Sequence, residues 1–158
     1  MTIEVRDIVK RYDGHSALDG VSLAIDDGAF VALLGPSGSG KTTLLRIIAG
    51  LAFADDGTVL FGGKDVTEVP VQERGIGFVF QNPEHQFIRT TVEEELAHGP
   101  ELNRLDRAVI SARVEDMLDR FGLADHRDVH PFLLSGGQKR RLSVGTALID
   151  GAPVLALD

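Results

Sequence analysis

The chain has 158 residues, 43% hydrophobic and 25% charged, with 18 glycines and a formal net charge of -8. That length holds one domain with a substantial core and leaves little for a second. Its acidity opposes general binding to nucleic acid, and with no cysteine there is neither a disulfide framework nor thiolate chemistry, as suits a reducing cytoplasm.

Charges at Glu4, Arg6 and Asp7 interrupt the apolar run that a secretory signal needs, and nothing approaches the roughly 18 apolar residues of a membrane span. Residues 2–9 and 21–26 alternate apolar and polar and predict strands, with a turn-rich stretch, KRYDGHSALDG, between them. AFVALLG, from Ala29, is a nearly unbroken apolar run and predicts a strand buried on both faces. Gly35 to Gly40 predict a loop, and residues 41–51 place Leu44, Leu45, Ile48 and Leu51 on one helical face. GTVLFGG and GIGFVFQ predict two more strands bounded by glycine.

After Asn82-Pro83 the pattern turns helical. TVEEELAHG starts a short helix with Glu93, Glu94 and Glu95 near its positive end. Residues 104–121 carry an apolar face from Leu105 to Phe121, with Asn103 as the expected cap and Gly122 as the stop. A further helix is expected from Gly136 to about Ile149, and GAPVLALD predicts a final apolar strand ending in the carboxylate of Asp158. A strand-rich first half, a helical insert and a return to a buried strand predict an α/β protein.

GPSGSGKT, Gly35 to Thr42, matches the phosphate-binding loop G-x-x-x-x-G-K-[ST]. The loop is Gly35, Pro36, Ser37, Gly38, Ser39 and Gly40, followed by Lys41, Thr42 and Thr43 at a helix start. Its glycines let backbone N–H groups approach a phosphate chain closely. Lys41 is expected to reach the β- and γ-phosphates and the Thr42 hydroxyl to ligate Mg²⁺. Downstream, LLSGGQKRR brings Ser135, Gly136 and Gly137 to another helix start, a second phosphate-binding device. One nucleotide does not need two cradles on one domain, so this one is expected to serve a nucleotide held by another copy.

The phosphate loop, Gln81 in FVFQNPEHQF, the LSGGQ run Leu134, Ser135, Gly136, Gly137 and Gln138, and the strand ending in Asp158 resemble the ATP-binding cassette ATPases in order and spacing, over essentially the whole chain. The resemblance implies a RecA-like P-loop core with an N-terminal antiparallel β-subdomain, residues 1–90 and 150–158. Residues 91–149 would be an inserted helical subdomain bearing the signature. It implies ATP and Mg²⁺ as cofactors, and a second cassette subunit, the same or different, packed head to tail so that each signature faces the other's phosphate loop. Tyr12 would stack on adenine. Gln81 would touch Mg²⁺ or the attacking water and relay nucleotide state to a membrane partner, and Asp158 would hold Mg²⁺, in part through water.

The same resemblance implies that the C-terminal part of the core is missing. The glutamate that polarises water, the D-loop and the switch histidine would all follow residue 158, so the chain reads as an N-terminal fragment with little turnover of its own. Within the family, QNPEHQFIRTTVEEELAHGP and SGGQKRRLSVGTALI look most like the energy-coupling-factor importers. This implies a peripheral subunit on the cytoplasmic membrane face, working with a transmembrane coupling protein and a substrate-capturing membrane protein to import a vitamin, cobalt or nickel. The alternatives are a non-transport cassette ATPase and a nucleotide-binding product without turnover. His15, His85, His98, His126 and His130 lack metal-ligand spacing and are read as surface or packing residues. Lys139, Arg140 and Arg141 are read as a solvated or interface helix face.

Overall fold

The computed structural model describes residues 1–158, and the chain divides into two compact units, Met1–Ile76 and Gly77–Asp158. In the first unit, β1 (Ile3–Tyr12), β2 (His15–Ile25), β3 (Asp56–Phe61) and β4 (Lys64–Asp65) form an antiparallel sheet in the order β2-β1-β3-β4. The helices of this unit are α1 (Lys41–Ala49) and the single turn α2 (Val71–Arg74).

The turn-rich stretch between the first two strands is mostly strand itself. Its reversal is confined to Asp13-Gly14, where φ is 46° and 81°, the two positive values that a tight hairpin turn of primed type requires. Alternation on β1 buries Ile3 and Val5, then shifts at a bulge around Asp7 (φ 50°), so that Ile8 rather than Asp7 faces inward. Ser22 holds that bulge by accepting from the Asp7 N–H at 2.9 Å.

The strand expected over 29–35 is not formed. Neither sheet includes these residues, and Phe30 and Leu34 are 92% and 91% exposed. Apolar composition predicts burial, but a strand also needs a ladder partner, and no strand of this chain supplies one here.

The second unit contains β5 (Ile76–Val79) from its second residue onward and β6 (Val154–Leu157), paired with each other, and the helices α3 (Val92–Leu102), α4 (Arg107–Arg120) and α5 (Gly136–Leu148). Its core joins Phe87, Val92, Leu96, Val114, Met117, Leu118, Leu123, Leu134, Leu142 and Ile149. Thr91 caps α3, its hydroxyl accepting from the Glu94 N–H at 3.2 Å. The helix expected from 104 begins later. Asn103 ends α3 instead of starting α4, Arg104 turns the chain with φ 55°, and Asp106 takes the N-cap position. Gly77 lies against α5, where a Cβ would stand 2.4 Å from the Ala147 carbonyl oxygen, so only glycine permits this approach of helix to strand.

Candidate functional site

In the first unit the loop 35–40 runs into α1, with Gly40 as N-cap at φ 83° and no side-chain cap. Glycine at the cap offers no side-chain acceptor of its own, and the positive N-terminal end of the helix attracts an anion. Gly40 is also fixed by close packing: a Cβ there would meet the Ala17 carbonyl oxygen at 2.3 Å and Leu18 Cδ2 at 2.8 Å. The β2 strand thereby anchors the loop's last residue. Gly38, at φ 80°, has open space around the same position.

The Lys41 ammonium folds back over the loop, donating to the Gly35 carbonyl at 2.9 Å, the Pro36 carbonyl at 2.7 Å and Ser39 Oγ at 2.9 Å. These contacts spread its positive charge over the mouth of the loop. A Cβ on Gly35 would sit 3.0 Å from Ser39 Oγ and 3.8 Å from Lys41 Nζ, within that mouth. Pro36, Ser37 and Ser39 are exposed, while Thr42 and Thr43 are half-buried on α1.

Tyr12 ends β1 beside the hairpin turn, 47% exposed, with the Lys10 ammonium 5.3 Å from its ring centroid. Lys10 also donates to Asp55 at 2.7 Å. One face of the ring thus carries a cation, and the exposed remainder suits a planar base.

In the second unit, Gln81, Asn82, Pro83, Glu84, Gly136, Lys139, Arg140 and Asp158 line one depression of about 390 Å³. Two side chains of α5 hold its floor. Arg140 donates to the Phe80 carbonyl at 2.7 Å and to the Asp158 main-chain oxygen at 3.5 Å, and Lys139 pairs with Glu84. Asp158 N–H donates to the Val79 carbonyl at 2.9 Å, continuing the β5–β6 pairing to the final residue. Gln81 and Asp158, sequence-distant, are therefore brought to one place.

Ser135, Gly136 and Gly137 are exposed at the tip of α5, with Leu134 buried behind them. Ser135 and Gln138 form a reciprocal capping box: Ser135 N–H donates to Gln138 Oε1 at 2.8 Å and Gln138 N–H to Ser135 Oγ at 3.3 Å. A Cβ at Gly136 would meet nothing within 4 Å, so this glycine keeps an outward surface bare rather than an inward contact tight.

A family model described as ABC transporter matches residues 18–158. The chain belongs to the ABC transporter family. Among curated members, it is 48% identical to the sulfate/thiosulfate import ATP-binding protein CysA of Bradyrhizobium diazoefficiens, covering 100% of this chain and 47% of that protein. It is 50% identical to CysA of Bordetella pertussis, covering 46% of it. The chain thus spans a little under half the length of these relatives. Among solved structures, cbiO1 from Clostridium perfringens, described as part of the ABC transporter complex cbiONQ, superposes with a TM-score of 0.87 at 31% identity over 99% of this chain and 64% of that one. A nucleotide-free ATP-binding cassette from an ABC transporter gives 0.85 at 31% identity, over 100% of this chain and 69% of that one.

The cassette's residues fit the cofactors of the family. In the first unit the start of α1 and Lys41 suit a phosphate chain and the Thr42 hydroxyl is a hard oxygen donor; in the second unit the Gln81 amide and the Asp158 carboxylate are oxygen donors of the kind that Mg²⁺ takes.

Of the face read as solvated or interface, Lys139 and Arg140 are half-buried and Arg141 is exposed, and all three make contacts within the chain. Lys139 is tied to Glu84 with its side chain 15% exposed, Arg140 to Phe80, and Arg141 Nε donates to the Phe121 carbonyl at 2.8 Å. Three further residues of the cassette escape a reading of its motifs. Gln86 donates to the Ser143 carbonyl at 3.2 Å and Thr146 Oγ1 at 2.9 Å, joining the glutamine segment to α5. Glu95, buried, accepts from the N–H groups of Ile88 and Arg89 at 2.8 Å each and holds the segment that follows Gln86. Its spacing with Val92 and Leu96 puts it on the inward face of α3, a periodicity signal for a buried carboxylate. Arg74, also buried, donates to the carbonyls of Ile47 and Ile48 at the end of α1. Nothing in its local sequence points to that partner.

Proposed function

We propose that this chain is the nucleotide-binding part of an ABC importer's ATPase subunit. The reading is carried by the phosphate loop 35–42, whose Lys41 ammonium gathers three loop acceptors at the start of α1. In this reading, Lys41 and the loop N–H groups bind the phosphates of ATP, Tyr12 stacks on adenine, and Thr42, Gln81 and Asp158 hold Mg²⁺. The metal neutralises charge on the transferring phosphoryl group when bound. Leu134 to Gln138 act in trans, the tip of α5 closing on the nucleotide of a second cassette. The assembly sits on the cytoplasmic membrane face against a transmembrane coupling protein and a substrate-capturing protein. A coiled-coil, non-transport cassette is disfavoured by the length of the insert helices, 11 residues for α3 and 14 for α4.

Two substrate classes compete. A vitamin, cobalt or nickel is supported by the QNPEHQ stretch at 81–86 and the likeness to cbiO1 of the cbiONQ complex. Sulfate or thiosulfate is supported by the CysA relatives at 48% and 50% identity. Complementation of uptake-deficient cells with the full protein, using each substrate in turn, separates them.

Two substitutions test the nucleotide reading. In a binding titration, Lys41→Ala is expected to weaken ATP binding at least about 100-fold, since it removes a charge-assisted phosphate contact. Ser135→Arg is expected to leave ATP affinity of the monomer within about twofold while abolishing ATP-dependent association, because it blocks a surface used only across an interface. Unchanged affinity in Lys41→Ala would place the triphosphate elsewhere. Equal loss of affinity and association in Ser135→Arg would remove the trans role of the signature.

A further inference from the structure

The capping box at α5 uses one end of the Gln138 amide, and the other end is held by a residue outside the signature. Because Gln138 Oε1 accepts from the Ser135 N–H, its amide nitrogen points away and lies 2.8 Å from His126 Nε2. A carboxamide nitrogen can only donate. His126 Nε2 must therefore present a bare lone pair, which puts the proton of the neutral ring on Nδ1. That Nδ1 is buried and has no hydrogen-bond partner. The ring thus leaves a donor unanswered while it accepts from Gln138, an arrangement that simple packing does not require.

The charged groups on the neighbouring elements are committed elsewhere. Glu115 on α4 pairs with Arg127, Lys139 on α5 pairs with Glu84, and Arg141 donates to the Phe121 carbonyl. Asp125 and Asp128, beside His126 in the chain, are exposed.

We infer that His126 is a positioning residue for the signature: by accepting from Gln138 it selects the amide orientation that closes the capping box and presents Ser135, Gly136 and Gly137 at the tip of α5. Reversing the amide would set its nitrogen against the Ser135 N–H, donor facing donor, and open the cap. The functional consequence rests on the proposed engagement of this tip with a nucleotide; the orienting role itself does not.

The full chain, labelled with nitrogen-15 in the histidine rings, provides the direct test at neutral pH. His126 Nε2 is expected to resonate as an unprotonated, pyridine-type nitrogen and Nδ1 as a protonated one; the reverse pattern overturns the assignment. Hydrogen exchange supplies a second test. His126→Leu, which fills space without an acceptor, should speed exchange of the Ser135 N–H about tenfold. His126→Gln places a carboxamide oxygen near the position of Nε2 and should restore slow exchange, with the buried Leu118 N–H as the control for general unfolding. No acceleration in His126→Leu, or equal acceleration in both variants, overturns the proposal. ATP-dependent association should follow the same order. If Ser135→Arg leaves association intact, the nucleotide reading of the tip fails while the exchange result still decides the role of His126.

Discussion

Arg140 on α5 donates to the main-chain carbonyl of Phe80 at 2.7 Å, one residue before Gln81. With Lys139 on Glu84 and Gln86 on Ser143 and Thr146, it is one of three side-chain ties between the glutamine segment and the helix that starts with the signature. Arg140→Ala removes a charged donor from a partly buried carbonyl. It is expected to lower stability by about 1–2 kcal/mol. The check is a denaturant titration in which the midpoint falls and the slope stays constant. An unchanged midpoint would mean that the other ties hold the segment without Arg140.

Arg74 has a larger expected effect. Its guanidinium reaches the carbonyls of Thr67, Val69, Ile47 and Ile48 at 2.8, 2.5, 2.7 and 2.9 Å, and burial lowers its pKa from the ordinary value. No salt bridge neutralises it; four carbonyl dipoles solvate the charge, two of them at the negative end of α1. Arg74→Met keeps apolar volume and strips those carbonyls of their donor. The expected loss is on the order of 3 kcal/mol, read as a lower thermal midpoint. A loss below about 1 kcal/mol would show that water replaces the guanidinium freely.

Gly40 and Gly38 separate two reasons for glycine in one loop. Both have positive φ, 83° and 80°, but a Cβ at Gly40 would stand 2.3 Å from the Ala17 oxygen, whereas one at Gly38 meets nothing within 4 Å. Gly38→Ala should cost about 1–2 kcal/mol of backbone strain. Gly40→Ala should cost more and also weaken ATP binding, because either β2 or the start of α1 has to shift. Equal losses in the two variants, measured by unfolding and by nucleotide titration, would contradict this.

Asp55 provides a test by pH. Hydrogen bonds from the Lys10 ammonium first and the Arg11 N–H second, each at 2.7 Å, hold its carboxyl below the ordinary value of 3.8. A depressed folded-state pKa means that the stabilisation is complete above the unfolded value and is lost as the pH falls through the folded one. Asp55→Asn should therefore be less stable than the parent near neutrality, and the gap should close below about pH 4. Unfolding curves for both proteins between roughly pH 6 and pH 3 provide the comparison. A gap constant across that range would assign the effect to something other than the carboxylate.

The fold was legible where neighbours along the chain decide it. The loop 35–40 and the start of α1 follow from closely spaced glycines and an apolar face, and α5 begins at Gly136 as expected. The Asp13-Gly14 reversal was also present as a turn dipeptide, though the long strands on either side of it were hidden by their polar residues. Residues 29–35 show the opposite failure. Their apolarity was read as a strand, yet pairing depends on a partner that no local pattern can supply.

The sequence by itself determined the order of the motifs, the phosphate loop and the signature helix, because backbone freedom at glycine and helical spacing are local properties. Only the tertiary structure decided where the cations of 139–141 go, why Arg74 is buried, and that His126 faces Gln138. The Arg140 contact joins residues 60 positions apart, and the Arg74 contact to Ile47 spans 27. Such pairings form because a buried donor or acceptor has to find a partner in three dimensions, a requirement satisfied by packing and not by adjacency in the chain.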